Sequence, residues 1–527
     1  MIAFHFDFNF AHFRIDYLKE QLRYLRSNSY DTIIWELENA VRFDTAPAVA
    51  AHDAVSKEEF AELLEYSRSL GFRNVPLLQT LAHTEYVLIH KEYAHLSEGD
   101  SGTMYCSSKL ELYSFLEKWL NEYCELFYDA PFFHIGCDEA RMIGESCPEC
   151  RDFVRDHGTS ALLIKHICRV HGILQKKNIR SAIWADMLVA HREKICELPR
   201  DLILFEWRYR ISDTRDELFC PGFGYCTEAE FPDAARKEFI KFLYPAGNNT
   251  KVDHFYLVDY LRSFGFEVVT CPSTSCGGGS IFTGETEVRF DNTFDSVRKG
   301  VAADGCAVTS WTVHLFPYEL QSLAIETPKY LTTHNVPGGQ RKDYCDSYTQ
   351  EHFGMSDSSP FLHILSLLNQ APLFTSCRSG SGYYKAYPFV DPEFFFQYVS
   401  KLTEEENRKE QQKTARALED FFLAGQKLTT LRQSVPYGKE ELDLWLLAVE
   451  NLIARSRFAL LLLHAGIKER MNPRPLIADL TRLRDATGKM YAKRVTAECL
   501  EIFLQILFDA PLAACRKILE ESSKGIR

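Results

Sequence analysis

Short apolar runs rich in Val, Ile and Phe alternate with amphipathic stretches of helical period from the first residue to about residue 335. This alternation is typical of repeated βα units. Eight runs have the length and composition of strands, and a barrel of eight βα units commonly takes about 250 residues or more. The sequence therefore predicts an α/β fold, a (β/α)8 TIM barrel over residues 1–335, with a doubly wound open sheet as the alternative. The predicted strands are 2–7, 32–38, 74–79, 132–138, 180–186, 202–207, 267–271 and 307–311.

The pattern changes beyond the predicted barrel. Residues 336–400 are dense in Phe, Tyr, Gly and Ser, and residues 401–527 show helical periodicity alone. Residues 403–406 have the spacing of a helix capping box, and a second long helix is predicted over 439–465. We therefore expect a connecting segment followed by an all-α C-terminal domain.

Composition narrows the class of protein. The chain of 527 residues has 60 basic and 73 acidic side chains, and its net charge of -13 argues against a protein that follows nucleic-acid phosphates. No apolar run approaches the roughly 18 residues of a membrane helix, and the N-terminus lacks the basic start of a signal peptide. The 16 cysteines are scattered as reduced core thiols would be. We expect a cytoplasmic protein, or one whose leader has been removed, that binds neither nucleic acid nor membranes.

One predicted connection, from residue 210 to 251, is longer than the usual two to six residues of a βα unit. A long connection of this kind commonly forms a lid or contacts a partner. The sequence leaves open whether this insertion or the helical domain forms a homodimer.

Two adjacent carboxylates, Asp138 and Glu139, follow the apolar run of the fourth predicted strand. In a TIM barrel the carboxyl ends of the strands meet on one face, where catalytic residues lie. Two carboxyl groups in different environments, one protonated and one ionised, are the usual groups for acid/base chemistry at a glycosidic bond. A solvated loop is the structural alternative.

Aromatic residues follow three other predicted strands. Trp184, Trp207 and Trp311 lie at the ends of strands five, six and eight, and Tyr209 follows Trp207 closely. Aromatic faces stack on the apolar faces of sugar rings and exclude water from a charged transition state. A single Trp is more often a core residue, but three at one barrel mouth favour a sugar-binding subsite.

The segment 132–139, with His134, Gly136 and the acid pair, resembles the His-x-Gly-(Ala/Cys/Gly)-Asp-Glu signature of glycoside hydrolase family 20, the β-N-acetylhexosaminidases. Further segments resemble the same family, most closely its small intracellular-type, hexosaminidase D-like branch, and the resemblance covers about residues 1–335. These segments are 76–86, 93–96, 184–188, 207–209 and 309–311.

This resemblance implies a retaining exo-β-N-acetylhexosaminidase that removes terminal β-linked GlcNAc or GalNAc. In that family the substrate's own 2-acetamido oxygen attacks the anomeric carbon and forms an oxazolinium-like intermediate. The resemblance makes Glu139 the general acid and base, Asp138 the residue that holds the acetamido group, and Tyr209 the donor to the acetamido oxygen. It implies no cofactor and no catalytic metal.

The resemblance also implies which residues bind the sugar. The three tryptophans would enclose the N-acetyl group and the ring, and the remaining candidates are polar residues near strand ends. His83 and His134 are alternatively histidines that support Glu139. The substrate-binding candidates are Trp184, Trp207, Trp311, His83, His134, Asp7, Glu36, Glu38, Asp186 and Glu319.

Two other functions remain open. One is a barrel glycosidase with a protein carboxylate such as Glu36 as the nucleophile, and the other is a catalytically silent sugar-binding module. The adjacent acid pair argues against the first, and the retained Tyr209 argues against the second.

Two cysteines and a glycine-rich run are the remaining motifs. Cys147 and Cys150 have the spacing of half a zinc site, but no second pair at a fitting spacing follows. The motif leaves zinc binding open, and we expect neither thiol to take part in catalysis. The glycine-rich run 276–280 lacks the Lys-Ser/Thr of a phosphate loop.

Overall fold

The computed structural model describes most of the chain. The described residues are 1–9, 11–245, 251–276, 283, 285–312, 317–334, 340–374 and 391–524. Residues 277–280 of the glycine-rich run, and 336–339 and 375–390 of the expected connecting segment, lie outside the described residues. Among the helices that the structure describes, none is both long and apolar enough to cross a bilayer.

Eight parallel strands form the central sheet. They are β1 (Ile2–Asp7), β2 (Thr32–Glu36), β3 (Arg73–Leu77), β4 (Phe133–His134), β5 (Ser181–Trp184), β6 (Ile203–Trp207), β9 (Glu267–Cys271) and β11 (Cys306–Ser310). Their spatial order follows the chain, and β11 pairs with β1 in parallel register, which closes the sheet into a barrel. The predicted TIM barrel is confirmed, and the open-sheet alternative is wrong. A further short strand, β10 (Ser273–Ser275), pairs with β11.

Alternation along the strands decides which side chains point into the barrel. Ala3 and Ile34 lie in the small core cluster inside the barrel, whereas Phe4 and Ile33 pack outward against the helices. The same two-residue period directs Asp7 and Glu36 inward, and the β1–β2 register pairs these two residues with each other. The barrel interior is therefore apolar below and acidic at the carboxyl ends of the strands.

Helices between the strands cover the outside of the barrel. They are α1 (Ile15–Ser27), α2 (Lys57–Ser69), α3 (Glu85–Leu88), α4 (Leu110–Leu126), α5 (Pro148–His157), α6 (Thr159–Gln175), α7 (Asp186–Ala190), α8 (Asp233–Leu243), α9 (Tyr256–Arg262), α10 (Thr286–Ala302), α11 (Ser322–Ile325) and α12 (Thr327–His334). Local signals set their ends, as in α2, where the side chains of Ser56 and Glu59 form a reciprocal capping box. The insertion after β6 contains α8 and an antiparallel hairpin of β7 (Leu218–Cys220) and β8 (Gly224–Cys226).

Strand β4 is shorter than its apolar run predicts. The backbone turns at Gly136 and Cys137, whose φ angles are +70° and +75°, and ladder pairing ends there. A side chain at Gly136 could not fit, because its Cβ would lie 1.9 Å from Oε1 of Gln79. The run therefore leaves the sheet early, and this early exit brings Asp138 and Glu139 over the barrel mouth.

The chain beyond the barrel is helical. Its helices are α13 (Arg341–Phe353), α14 (Ser359–Leu367), α15 (Pro392–Ser400), α16 (Glu404–Ser434), α17 (Lys439–Gly466), α18 (Arg474–Tyr491), α19 (Ala497–Leu504) and α20 (Ala510–Lys524). The two longest, α16 and α17, follow one another through a short turn, and α16 begins at the predicted capping box of Thr403 and Glu406. The predicted all-α C-terminal region is confirmed.

A loop of the helical region hydrogen-bonds to the β1–α1 loop of the barrel. The Arg14 N–H donates to the Arg494 carbonyl and the Thr496 N–H donates to the His12 carbonyl, both at 2.9 Å. Between them the backbone of Val495 forms an antiparallel bridge with Phe13. The two parts of the chain thus share backbone hydrogen bonds as well as side-chain packing.

Candidate active site

The acid pair lies at the mouth of the barrel, in two different environments. Asp138 is 6% exposed, and its Oδ1 has no hydrogen-bond partner among the described residues. Glu139 is more open, with a quarter of its side chain exposed. The left-handed φ of Glu139, +46°, turns the chain between the two residues. One carboxylate is therefore held inside the site while the other faces the rim.

Several residues around the barrel mouth have left-handed backbone conformations. Glu38, His83, Cys137 and Glu139 all have positive φ, although none is glycine. Such conformations cost about 1–3 kcal/mol each and persist where surrounding structure enforces them, commonly at functional sites. Their concentration on the loops after β2, β3 and β4 favours a site at this end of the barrel.

His83, from the loop after β3, contacts both carboxylates. Its Nε2 lies 3.4 Å from Oδ2 of Asp138 and 3.5 Å from Oε2 of Glu139. Burial opposes protonation, but the charges of Asp138 and Glu139 outweigh it and raise the pKa of His83 well above 6.5. A protonated His83 holds the two carboxyl groups next to each other. Arg141 contacts the other oxygen of Glu139.

Asp186, at the end of β5, supports the pair from the opposite side. Its Oδ2 accepts the Glu139 backbone N–H at 3.0 Å, and its Oδ1 accepts Nε1–H of Trp207 at 3.3 Å. Burial and the nearby charge of Asp138 raise the pKa of Asp186 to about 7. Asp186 therefore changes its charge within the physiological pH range.

This raised pKa predicts a pH-dependent effect of Asp186→Asn on stability. The unfolded chain loses this proton at lower pH than the folded chain does, so stability falls as the pH rises from about 4 to 7. Asn cannot ionise. The melting temperature of the variant relative to wild type should therefore rise by about 2 °C or more between pH 5 and pH 8. Thermal denaturation followed by circular dichroism measures this difference.

Asp100→Asn, at an exposed position of the loop after β3, is the control for that measurement. The control should follow wild type at both pH values. Parallel melting curves for Asp186→Asn and wild type would show that Asp186 ionises normally.

An aromatic enclosure borders the acid pair. Trp207 stacks on Tyr209 with ring centroids 4.9 Å apart, and Nε1–H of Trp311 donates to the Tyr209 hydroxyl at 3.0 Å. Trp311 lies against Trp184, with ring centroids 6.0 Å apart. We define these four residues as the aromatic enclosure. The structure thus brings the three tryptophans from separate strand ends into one connected group with Tyr209.

Polar side chains line the barrel interior below the enclosure. Glu36 accepts hydrogen bonds from Gln79 at 2.9 Å and contacts Nε2 of His5 at 2.8 Å. The ring of His5 also lies 4.8 Å from that of Trp311. Asp7 accepts from Thr312 N–H at 2.9 Å, and burial together with the charge of Glu36 raises the pKa of Asp7 to about 6.

The remaining predicted residues lie in three places. Glu38 accepts a hydrogen bond from Asn9 at 2.9 Å beside the β1 end. His134 is fully buried, and burial lowers its pKa well below 6.5, so it is a neutral residue beneath Trp184. The Glu319 carboxylate is bound by Arg494 of the helical region at 2.9 Å.

Two residues of this region were not among the predicted site residues. His5 sits within the alternating strand β1, where an inward histidine resembles a core residue, and Arg141 is one of several charged residues on a loop. His5 lies two residues before Asp7 on β1, so both side chains face the same way, and this alternation was the signal that could have identified His5. No sequence signal distinguished Arg141.

The amino-acid sequence is similar to that of known glycoside hydrolases. Residues 37–223 match the model of "Glycosyl hydrolase family 20, catalytic domain". The chain is similar to Hexosaminidase D of Homo sapiens, at 27% identity over 191 residues, covering 35% of this chain and 39% of the relative. It is also similar to Hexosaminidase D of Bos taurus, at 26% identity over 189 residues, 35% of this chain and 55% of the relative. The match thus spans about half the length of these curated relatives, or less.

Solved structures of similar proteins were also found. A chitobiase of Flavobacterium johnsoniae is 16% identical with a TM-score of 0.49, covering 98% of this chain and 78% of that chain. An N-acetyl-beta-hexosaminidase of Streptomyces plicatus is 15% identical with a TM-score of 0.43, covering 62% of each chain. Residues 37–223 of this chain are thus similar in sequence to the catalytic domain of glycosyl hydrolase family 20.

Proposed function

We propose that this protein is a retaining exo-β-N-acetylhexosaminidase that hydrolyses terminal β-linked GlcNAc or GalNAc by substrate-assisted catalysis. The observation that carries the proposal is Oδ1 of Asp138, a buried carboxylate oxygen with no partner among the described residues, beside Glu139. A buried acceptor of this kind requires a donor. The N–H of a 2-acetamido group is such a donor, and a sugar seated there presents its glycosidic oxygen to Glu139.

Each residue of the site has a distinct part in the proposed reaction. Glu139 protonates the leaving oxygen and then takes a proton from the attacking water. Asp138 orients the acetamido group and stabilises the positive charge of the oxazolinium-like intermediate. Tyr209 donates to the acetamido oxygen, and its own oxygen accepts from Trp311. Burial raises the pKa of Tyr209 well above 10, so the hydroxyl stays protonated.

Hydrogen bonds to Glu36 and Asp7 argue against either of these two carboxylates as a protein nucleophile. Glu36 is engaged by His5 and Gln79, and Asp7 accepts bonds from Thr312 and Asn9. A nucleophilic carboxylate must instead have an oxygen free to attack the anomeric carbon. The substrate's own acetamido oxygen needs no such residue, and holding it near the anomeric carbon provides a large entropic advantage.

We also propose that the protein acts in the cytoplasm. All fifteen cysteines that the structure describes are free thiols, and many of them are buried. Persistent free thiols are typical of a reducing compartment. Hexosaminidase activity in a cell lysate, separated from secreted and membrane fractions, tests this location.

The substrate's 2-substituent gives the direct test of the mechanism. The wild-type enzyme should hydrolyse 4-nitrophenyl N-acetyl-β-glucosaminide at least about 100-fold faster than 4-nitrophenyl β-glucoside, in kcat/KM, because the glucoside lacks the internal nucleophile. Release of 4-nitrophenolate measures both rates. Proton NMR of the first product should show the β-anomer, as retention requires.

Two results would contradict the proposal in different ways. Comparable hydrolysis of the glucoside, or a covalent glycosyl-protein adduct detected by mass spectrometry, would assign the reaction to a protein nucleophile. Binding of N-acetylglucosamine without hydrolysis of any aryl glycoside would support the silent sugar-binding module.

A further inference from the structure

Three cysteines from two loops of the barrel converge in one place. Cys147 and Cys150 belong to the start of α5, and Cys106 comes from the loop between β3 and α4. Their sulfurs all lie within 4.8 Å of one another, and the Cys106 and Cys150 sulfurs are 3.5 Å apart. All three residues are buried. Three thiolates around one tetrahedral zinc ion, at the usual Zn–S distance of about 2.3 Å, lie about 3.8 Å apart.

A buried carboxylate adjoins this cluster. Glu98 is fully buried, and its Oε1 accepts the Cys147 backbone N–H at 3.4 Å. Its Oε2 has neither a hydrogen-bond partner nor an ion pair among the described residues. A buried carboxylate in this position requires a compensating positive charge. Among the described residues no basic side chain forms an ion pair with Glu98, and the Lys109 ammonium instead binds the backbone carbonyls of His95 and Ser97.

We propose that Cys106, Cys147 and Cys150 bind one structural Zn²⁺ ion. Thiolates are common zinc ligands, and three cysteines with one further ligand are typical of structural zinc sites. Glu98 lies next to these ligands and is not one of the groups whose ligand atoms all lie within 4.8 Å of one another. The positive charge of the ion offsets part of the negative charge of the thiolates and of Glu98.

A disulfide is the main rival arrangement for these thiols. A bond between Cys106 and Cys150 would bring their sulfurs to about 2.05 Å. It would leave Cys147 unpaired in the same place. Zinc accounts for all three thiols together. His166 is not an alternative ligand, because its two ring nitrogens contact Thr80 and Tyr113.

The site joins the two loops that carry the acid pair and its histidine. Gly99, next to Glu98, lies so close to the second loop that a Cβ there would be 2.5 Å from the Cβ of Ser146. The first loop carries His83 and the second carries Asp138 and Glu139. Zinc at this junction would therefore fix the distance between His83 and the two carboxylates without touching the substrate.

Metal content tests the proposal independently of any catalytic activity. The full chain, purified without chelators from zinc-supplemented cells, should contain about one zinc per chain by inductively coupled plasma mass spectrometry. Cys106→Ser should reduce this to less than about a fifth. Cys196→Ser, at an exposed cysteine, is the matched control and should retain the metal. Replacement of zinc by Co²⁺ should give thiolate-to-cobalt charge-transfer absorption, which Cys106→Ser should lack.

Glu98→Gln keeps all three thiols and covers the case in which Cys106→Ser fails to fold. This variant should release zinc to a competing chelator at least about tenfold more readily than wild type, because it loses the negative charge next to the ligands. Wild-type protein free of zinc would overturn the proposal, as would a Cys106–Cys150 disulfide in non-reducing peptide mass spectra. Unchanged zinc content in a folded Cys106→Ser variant would overturn it as well.

Discussion

Replacing Glu139 by Gln should reduce kcat/KM for an N-acetyl-β-glucosaminide with a sugar leaving group by about 100-fold to 10,000-fold. The loss should be less than about tenfold for a 2,4-dinitrophenyl leaving group, which departs without protonation. The reason is that Gln occupies the same place but cannot give a proton to the glycosidic oxygen. Rates measured over a series of leaving groups of rising pKa should therefore fall much more steeply for the variant than for wild type.

Glu145→Gln is the matched control for that series. Glu145 is an exposed residue of the same loop, six positions further along the chain, and its replacement should leave the leaving-group dependence unchanged. An equal loss for every leaving group in Glu139→Gln would mean that Glu139 is not the acid. In the Glu139→Ala variant, added azide should restore turnover of the dinitrophenyl substrate and give the β-glycosyl azide, because a small anion replaces the water that needs a base.

Replacing Asp138 by Asn should slow every N-acetylhexosaminide by about 100-fold to 1,000-fold, whatever its leaving group. Asn removes the negative charge opposite the developing oxazolinium cation and offers an N–H where the substrate also presents an N–H. The charge of Asp138 also raises the pKa of His83, so the variant should titrate His83 at lower pH than wild type. Steady-state kinetics over the same leaving-group series, and NMR titration of the histidines, measure the two effects.

The exposed Asp100 again provides the control for Asp138, since Asp100→Asn should change neither the kinetics nor the histidine titration. A loss in Asp138→Asn confined to poor leaving groups would give Asp138 the role of a proton donor. A higher KM with an unchanged kcat would limit the role of Asp138 to substrate binding.

The barrel was predictable from the sequence because its strands are buried on both faces. A short run rich in β-branched residues, such as that of β9, is typical of an interior strand, and its observed bounds equal the predicted ones. The end of β4 was not predictable in the same way. Its apolar run continues beyond His134, and only the positive φ angles at Gly136 and Cys137, enforced by contact with Gln79, end the pairing.

The candidate site was predictable where residue type and strand end coincide, as at Trp207 and Asp138. Contacts between segments that are distant in the sequence were not predictable. Cys106 precedes Cys147 by a span that contains a whole helix and a strand, so no spacing rule connects them. Glu319 looked like a residue at the end of the eighth strand, but Arg494 from the far end of the chain binds it. Such partners become visible only when the fold brings them together.

The backbone bonds between the β1–α1 loop and residues 494–496 have a consequence for synthesis of the chain. Phe13 and Val495 lie far apart in the sequence, so their bridge cannot form until residue 495 has left the ribosome. This loop follows directly after Asp7, which faces the barrel mouth. This edge of the catalytic face is therefore completed long after its own residues are translated, and a chain released before residue 494 would keep that edge unfinished.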